Sequence, residues 1–324
     1  MKILQPIKTS MTASIDIETV RIEDNFKDLS EGYKSAWKYK NKQDGVIPND
    51  TELSILWAKN ASLYAEFSKV CAVSLAFMHK DKLICKEFYG KNEKNLLRVL
   101  GSTLNNMIAN NKEWRLAGHA SKFFDYPFLG KRFIINNLDI PIIIDSTALK
   151  PWEQSNLCTN EIWKLGGTGA GSSLQALCNV LEVPVSKVDL VGDEVGAAFY
   201  NNELERIGRY CSLDTIATYN VLRKLKKEST FTFEEVEYIK AYTDDATEIP
   251  EEKIVPFLQR LYLSKNFNNE AKKEIEGLLK NKEITDVDKT NLKDILLSVY
   301  FEKRDKIADK KVKTQEIEEF IKNL

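Results

Sequence analysis

Residues 13–19 read Ala-Ser-Ile-Asp-Ile-Glu-Thr, and the alternation of apolar and acidic residues restricts this run to a β-strand. Side chains alternate across a strand, so Ile15 and Ile17 share one face while Asp16 and Glu18 share the other. Two anions side by side above an apolar face are costly unless a cation neutralises them. All-oxygen sites suit hard divalent ions such as Mg²⁺ or Mn²⁺. A solvated strand edge also produces Asp-x-Glu, so the pair acquires meaning only from acidic partners elsewhere in the chain.

The 324 residues suffice for one large domain, or for a domain plus a smaller one. A net charge of −1 does not mark a nucleic-acid binder, although a local basic groove is compatible with a neutral total. Cys71, Cys85, Cys158, Cys178 and Cys211 include no C-x-x-C pair, and His79 and His119 are the only imidazoles. That inventory argues against a zinc site and against a disulfide framework, and fits a reducing interior. With no basic-then-apolar leader and no apolar run of bilayer length, a cytoplasmic protein with no membrane partner is expected.

Beyond the first strand, the polar segment from Arg21 to Thr51 reads as a loop or insertion with one short helix near Lys34–Tyr39. Lys69–Phe77 and Lys82–Phe88 read as strands joined by a hairpin turn at His79-Lys80-Asp81. A helix is predicted over Asn92–Ala109, with Leu96, Leu97, Leu100, Leu104, Met107 and Ile108 as its apolar stripe. A short strand at Trp114–His119 and a helix over Ser121–Asn136 follow, Pro127 being tolerated in that helix's first turn. Pro141–Asp145 has the composition of a buried strand. The glycine-rich run Gly166–Ser173 lacks the Lys of a Walker motif and a strand before it. It reads as a loop ending in a helix cap, Ser172 and Gln175 having capping-box spacing.

A long helix runs from about Asn202 to Lys227, after which the chain becomes charge-rich and helix-patterned. These features predict two domains, residues 1–228 and a helical segment 229–324. The first is an α/β domain, a mixed sheet flanked by helices and not an all-parallel one.

Two further acids stand out. Asp125 begins Asp-Tyr-Pro-Phe-Leu after a predicted strand, and Asp214 lies on the long helix four residues after Tyr210, on the same face. The order Asp-x-Glu, then Phe-Asp, then Tyr-x-x-x-Asp resembles the DEDD superfamily of 3′–5′ exonucleases. The Tyr is typical of the subgroup that includes the proofreading domains of family A and B DNA polymerases. The runs Leu63–Phe67, Asp125–Leu129 and Glu205–Cys211 are also similar, and the resemblance to family B exonucleases covers roughly residues 15–225.

The resemblance implies a ribonuclease-H-like fold with Asp16 on the central strand. It implies that Asp16, Glu18 and Asp214 hold one Mg²⁺ or Mn²⁺, with Asp16 and Asp125 serving a second. Tyr210 would orient the attacking water. Two ions about 4 Å apart can clamp the attacking and leaving oxygens of an in-line phosphoryl displacement. One position departs from the family pattern, which usually has Asn where this chain has Ala120.

Candidate substrate contacts are Thr19, through its hydroxyl or backbone N–H; His119, as a structural or substrate-side residue; and Phe124 and Tyr126, which either stack on a base or fill the core. Lys122, Lys131 and Arg132 could meet phosphates, although solvated helix charges are the commoner explanation. The activity the resemblance implies is removal of nucleotides from the 3′ end of single-stranded DNA, in proofreading or repair, with a DNA polymerase or another replication protein as a candidate partner through the C-terminal helices. An exoribonuclease and a non-catalytic nucleic-acid-binding scaffold of the same fold are the alternatives.

Overall fold

The computed structural model describes residues 4–147, 149–150, 153–169, 171–184 and 190–244. Its centre is β1 (Thr12–Arg21), the strand that carries Asp16 and Glu18. β2 (Ser68–His79) runs antiparallel to β1, and β3 (Lys82–Tyr89) antiparallel to β2, with Lys80 turning the hairpin at φ +55°. β4 (Arg115–Gly118) lies parallel on the other side of β1, followed by the two-residue β5 (Leu157–Cys158). β6 (Val236–Thr243) closes the far edge, parallel to β3. The six-stranded order β5-β4-β1-β2-β3-β6, part antiparallel and part parallel, is the ribonuclease-H-like arrangement expected.

The two sheet faces differ in chemistry. Ile15 and Ile17 enter an apolar core with Leu75 and Phe88, beneath α3 (Glu93–Asn110) and α4 (Asp125–Ile135). α3 buries Leu96, Leu97, Leu100 and Leu104 as its periodicity predicts, and the Asn92 side chain caps it by accepting from the Asn95 N–H. Pro127 sits in the first turn of α4, where its missing N–H leaves no bond unmade.

On the opposite face lies α8 (Leu204–Leu225), preceded by the short helices α5 (Thr159–Lys164), α6 (Leu174–Val180) and α7 (Val195–Tyr200). The Ser14 hydroxyl donates to the Thr215 carbonyl of α8 at 2.8 Å, tying the helix to the central strand.

Several elements differ from expectation. The segment after β1 holds two helices, α1 (Glu31–Lys40) and α2 (Asp50–Asn60), around an aromatic cluster of Trp37, Trp57 and Phe67. Trp37 and Trp57 meet edge to face at 5.2 Å, and an Asn49–Glu52 capping box starts α2.

Pro141–Asp145 is a turn: the Pro141 carbonyl accepts from both Ile144 and Asp145 N–H, so the run bonds to itself and not to a neighbouring strand. The cap of α6 is Ser173, which accepts from Ala176 N–H, while Ser172 is held by Asn160 and His119.

The domain boundary near residues 228–230 is also displaced, because β6 adds a strand to the sheet and extends the α/β unit through Thr243. The expected helices from residue 245 onward lie outside the described residues. Among the described residues, no helix is long and apolar enough to cross a membrane.

Candidate active site

β1 presents Asp16 and Glu18, half-buried, toward α8, while the intervening Ile15 and Ile17 are buried on the other side. A register shift in the β1–β2 pairing falls between Glu18 and Thr19, at the end of the acidic pair. Asp125 arrives from the start of α4. Its buried carboxylate accepts from its own backbone N–H and from that of Ile17, so it is bonded directly to β1. The amino-terminal end of a helix also favours an anion. Tyr210 and Asp214 arrive from α8, one turn apart, and hydrogen-bond each other. The structure therefore brings together all five residues singled out on the three separate elements.

The electrostatics are unusual for a protein interior. Burial, followed by the charges of Glu18, Asp125 and Asp214, pushes the Asp16 carboxyl well above its ordinary range. Burial, followed by Asp214 and Asp125, does the same to Glu18. Burial raises Asp125 to about 7 against its two backbone hydrogen bonds, and raises Asp214 to about 6 against its bond with Tyr210. The Tyr210 phenol is pushed up by burial and by the neighbouring carboxylates, Asp214 foremost. Among the described residues, none of the four acids has a Lys, Arg or His ion-pair partner. Uncompensated acids brought together from three elements suit a hard cation.

Cys211, absent from the sequence-based candidates, is the neighbour that went unseen. Its thiol donates to the Asp16 carbonyl at 3.3 Å, and its sulfur and one oxygen each of Asp16 and Glu18 lie within 4.8 Å of one another. Burial first, then Asp16 and Glu18, push the thiol well up, so it remains protonated and acts as a donor. Its signal in the sequence was only its position between Tyr210 and Asp214.

The substrate-side candidates fare differently. The Thr19 hydroxyl is committed to the Ser62 carbonyl at 2.8 Å. Tyr126 belongs to the core, buried with its hydroxyl bonded to the Leu157 carbonyl. Phe124 packs half-buried against Phe128, whereas the adjacent Phe123, not singled out from sequence, is 69% exposed.

Lys122 pairs with Glu161 at 2.9 Å and Lys131 with Glu66 at 3.4 Å. Arg132 is buried on Glu93 and the Ala65 carbonyl and is not a phosphate contact. His119 uses both ring nitrogens, on Thr159 Oγ1 and the Ser172 carbonyl, and burial lowers its pKa. It is a neutral structural residue beside the site. Ala120 adopts φ +63°, the left-handed region in which Asn is enriched, so the backbone keeps a shape suited to the residue the family usually has there.

A family described as a predicted 3′–5′ exonuclease related to the exonuclease domain of PolB matches residues 61–261. The chain belongs to this family. No curated protein matches it. The matched segment of this predicted exonuclease contains Asp125, Tyr210 and Asp214 but begins after Asp16 and Glu18. The first two acids join the site through the fold: β1 lies between β2 and β4, both inside the matched segment. α1 and α2 both fall between β1 and the start of the match, which separates the acidic strand from the rest of the motif in sequence.

Proposed function

We propose that the chain is a divalent-metal-dependent exonuclease that removes nucleotides from the 3′ end of single-stranded DNA and releases nucleoside 5′-monophosphates. The observation that carries this reading is the convergence of Asp16, Glu18, Asp125 and Asp214, without a cationic partner among the described residues, beside a Tyr210 bonded to Asp214. The donor set suits Mg²⁺ or Mn²⁺: carboxylate oxygens throughout, three of the four acids being partly open to solvent. Asp16, Glu18 and Asp214 would hold one ion, and Asp16 with Asp125 the other. When bound, such ions neutralise charge developing on the phosphate and acidify coordinated water.

The remaining work falls to the chain. Tyr210 stays protonated at neutral pH, because burial and its acidic neighbours raise its pKa. It is therefore a fixed hydrogen-bonding group that orients the attacking water, not a base. The water oxygen bonds to the terminal phosphorus as the bond to the penultimate 3′ oxygen breaks. The water's proton goes to solvent, and the leaving oxygen takes one. Asp125, fixed by the Ile17 N–H, keeps α4 and β1 in register around the reacting phosphate.

The relation to the PolB exonuclease domain supports a role in proofreading or repair, with a DNA polymerase or another replication protein as a partner. The buried free cysteines support a reducing, cytoplasmic setting. Matched DNA and RNA oligonucleotides, labelled at the 5′ end and incubated with Mg²⁺ or Mn²⁺, test the substrate. A ladder shortening from the 3′ end of DNA is expected, and faster digestion of RNA would reassign the enzyme as an exoribonuclease.

A further inference from the structure

A polar row crosses the sheet beneath α8, where apolar residues would ordinarily lie. Strand register aligns Asp16 on β1 with Ser74 on β2, Ser74 with Glu87 on β3, and Glu87 with Lys240 on β6. Directly opposed residues share a face, so all four side chains project from the α8 side, spanning three strand spacings or about 14 Å. Glu87 is only 6% exposed. A carboxylate so deep in a sheet is costly unless its bonds are worth keeping.

Those bonds lead to α8. Ser212 Oγ donates to Glu87 Oε1 at 2.8 Å and lies 3.0 Å from Ser74 Oγ. Ser212 Oγ is also 3.0 Å from the Gly208 carbonyl of its own helix, and either serine hydroxyl can donate to the other. Ser74 also hydrogen-bonds the Cys211 thiol, which itself donates to the Asp16 carbonyl. One helical turn earlier, Gly208 lies against the Tyr89 ring so closely that a Cβ there would fall 2.3 Å from a ring carbon. Ser212 sits between Tyr210 and Asp214 in sequence, and Gly208 two residues before Tyr210. Further out, Lys240 Nζ bonds Glu205 at 2.6 Å near the start of the same helix.

We propose that Glu87 is a positioning residue: through Ser212 it fixes the height and rotation of α8 on the sheet, and so places Tyr210 and Asp214 opposite Asp16 and Glu18. The inference rests on the proposed exonuclease reading for its functional consequence, though not for its structural one. Glu87 touches no reacting atom. Its effect passes through a single hydroxyl and a rigid helix, as outer partners of metal ligands commonly act.

The test compares Glu87→Leu, Glu87→Gln and Ser212→Ala in the full chain. Amide hydrogen exchange is followed over residues 208–216 without metal, then Mn²⁺ affinity by calorimetry, and kcat and KM on a single-stranded oligonucleotide. Glu87→Leu and Ser212→Ala are expected to speed exchange in that segment and to lower kcat about 10- to 100-fold with KM little changed, Mn²⁺ binding weakening in parallel. Glu87→Gln should recover most of the loss, because an amide carbonyl still accepts from Ser212. Unchanged exchange and Mn²⁺ affinity in a folded Glu87→Leu protein would overturn the proposal. So would a Glu87→Gln protein as impaired as Glu87→Leu, since charge and not the hydrogen bond would then matter. If Glu87→Leu does not fold, Ser212→Ala decides alone. A wild-type chain without nuclease activity would refute the exonuclease reading, while hydrogen exchange would still judge the role of Glu87.

Discussion

Two buried acidic sites in this molecule solve the same problem in opposite ways. Glu93, at the start of α3, meets Arg132 on α4: the guanidinium bonds both carboxylate oxygens, Nε to Oε1 at 2.8 Å. The Val70 N–H and the Asn136 amide supply further donors, and Arg132 also reaches the Ala65 carbonyl. The fold provides its own counter-charge there, and the pair fastens β2, α3 and α4 together. Around Asp16 three more acids converge, and among the described residues no such cation is supplied. A fold that can satisfy one buried carboxylate this fully, yet leaves four others facing each other, has a place for charge from outside.

Breaking each site separately sharpens the contrast. Asp16→Ala and Asp214→Ala should lower hydrolysis of a single-stranded oligonucleotide by about 10³-fold or more, equivalent to about 4 kcal/mol of barrier. Circular dichroism of the same variants should be unchanged. Arg132→Met should do the reverse, costing about 3–5 kcal/mol of stability by leaving Glu93 buried and unpaired. Denaturant unfolding reads that loss, and activity per folded molecule should survive it.

A third comparison is thermodynamic. Without metal, Asp16→Asn should raise stability by about 1–3 kcal/mol by removing one repelling charge, whereas Glu93→Gln should lower it. Equal destabilisation by both would erase the distinction between the sites.

The pH dependence follows from the same acids. Asp125 near 7 and Asp214 near 6 both lie above the ordinary value of 3.8, so the folded, metal-free protein holds protons that the unfolded chain has released. Their stabilising contribution is present below about pH 4 and is lost as pH rises through 6 to 7. The melting temperature of the metal-free protein should therefore fall between pH 5 and pH 8, and Mn²⁺ should restore most at the upper end. A smaller effect is expected at Ala120, where φ is +63°: Ala120→Gly should add about 1 kcal/mol by relieving the left-handed strain.

The paired side chains were legible from local rules, whereas Asp125, and the joining of the pairs into one site, came from the resemblance. Alternation puts Asp16 and Glu18 on one face of a strand, and a spacing of four puts Tyr210 and Asp214 on one face of a helix. What was not legible depends on contacts distant in sequence. Arg132 reads as a surface cation until Glu93 is found 39 residues away. Glu87 and Cys211 have no local signature, since their meaning lies in strand register and in the approach of α8. β5 is too short to show periodicity, and Pro141–Asp145 has strand composition but closes on itself through the Pro141 carbonyl. α2 was the avoidable miss, its Asn49–Glu52 capping box being visible in the sequence.

If the four acids form a cation-dependent site for cutting at a 3′ end, as proposed, hydrolysis requires both the metal ion and Asp16. The most direct measurement follows a 5′-labelled single-stranded DNA oligonucleotide with Mn²⁺, with Mn²⁺ plus EDTA, and with Mn²⁺ and the Asp16→Ala protein. Stepwise shortening from the 3′ end, with nucleoside 5′-monophosphates as the product, is expected in the first reaction alone. Equal digestion in all three, or none in the first, would contradict it.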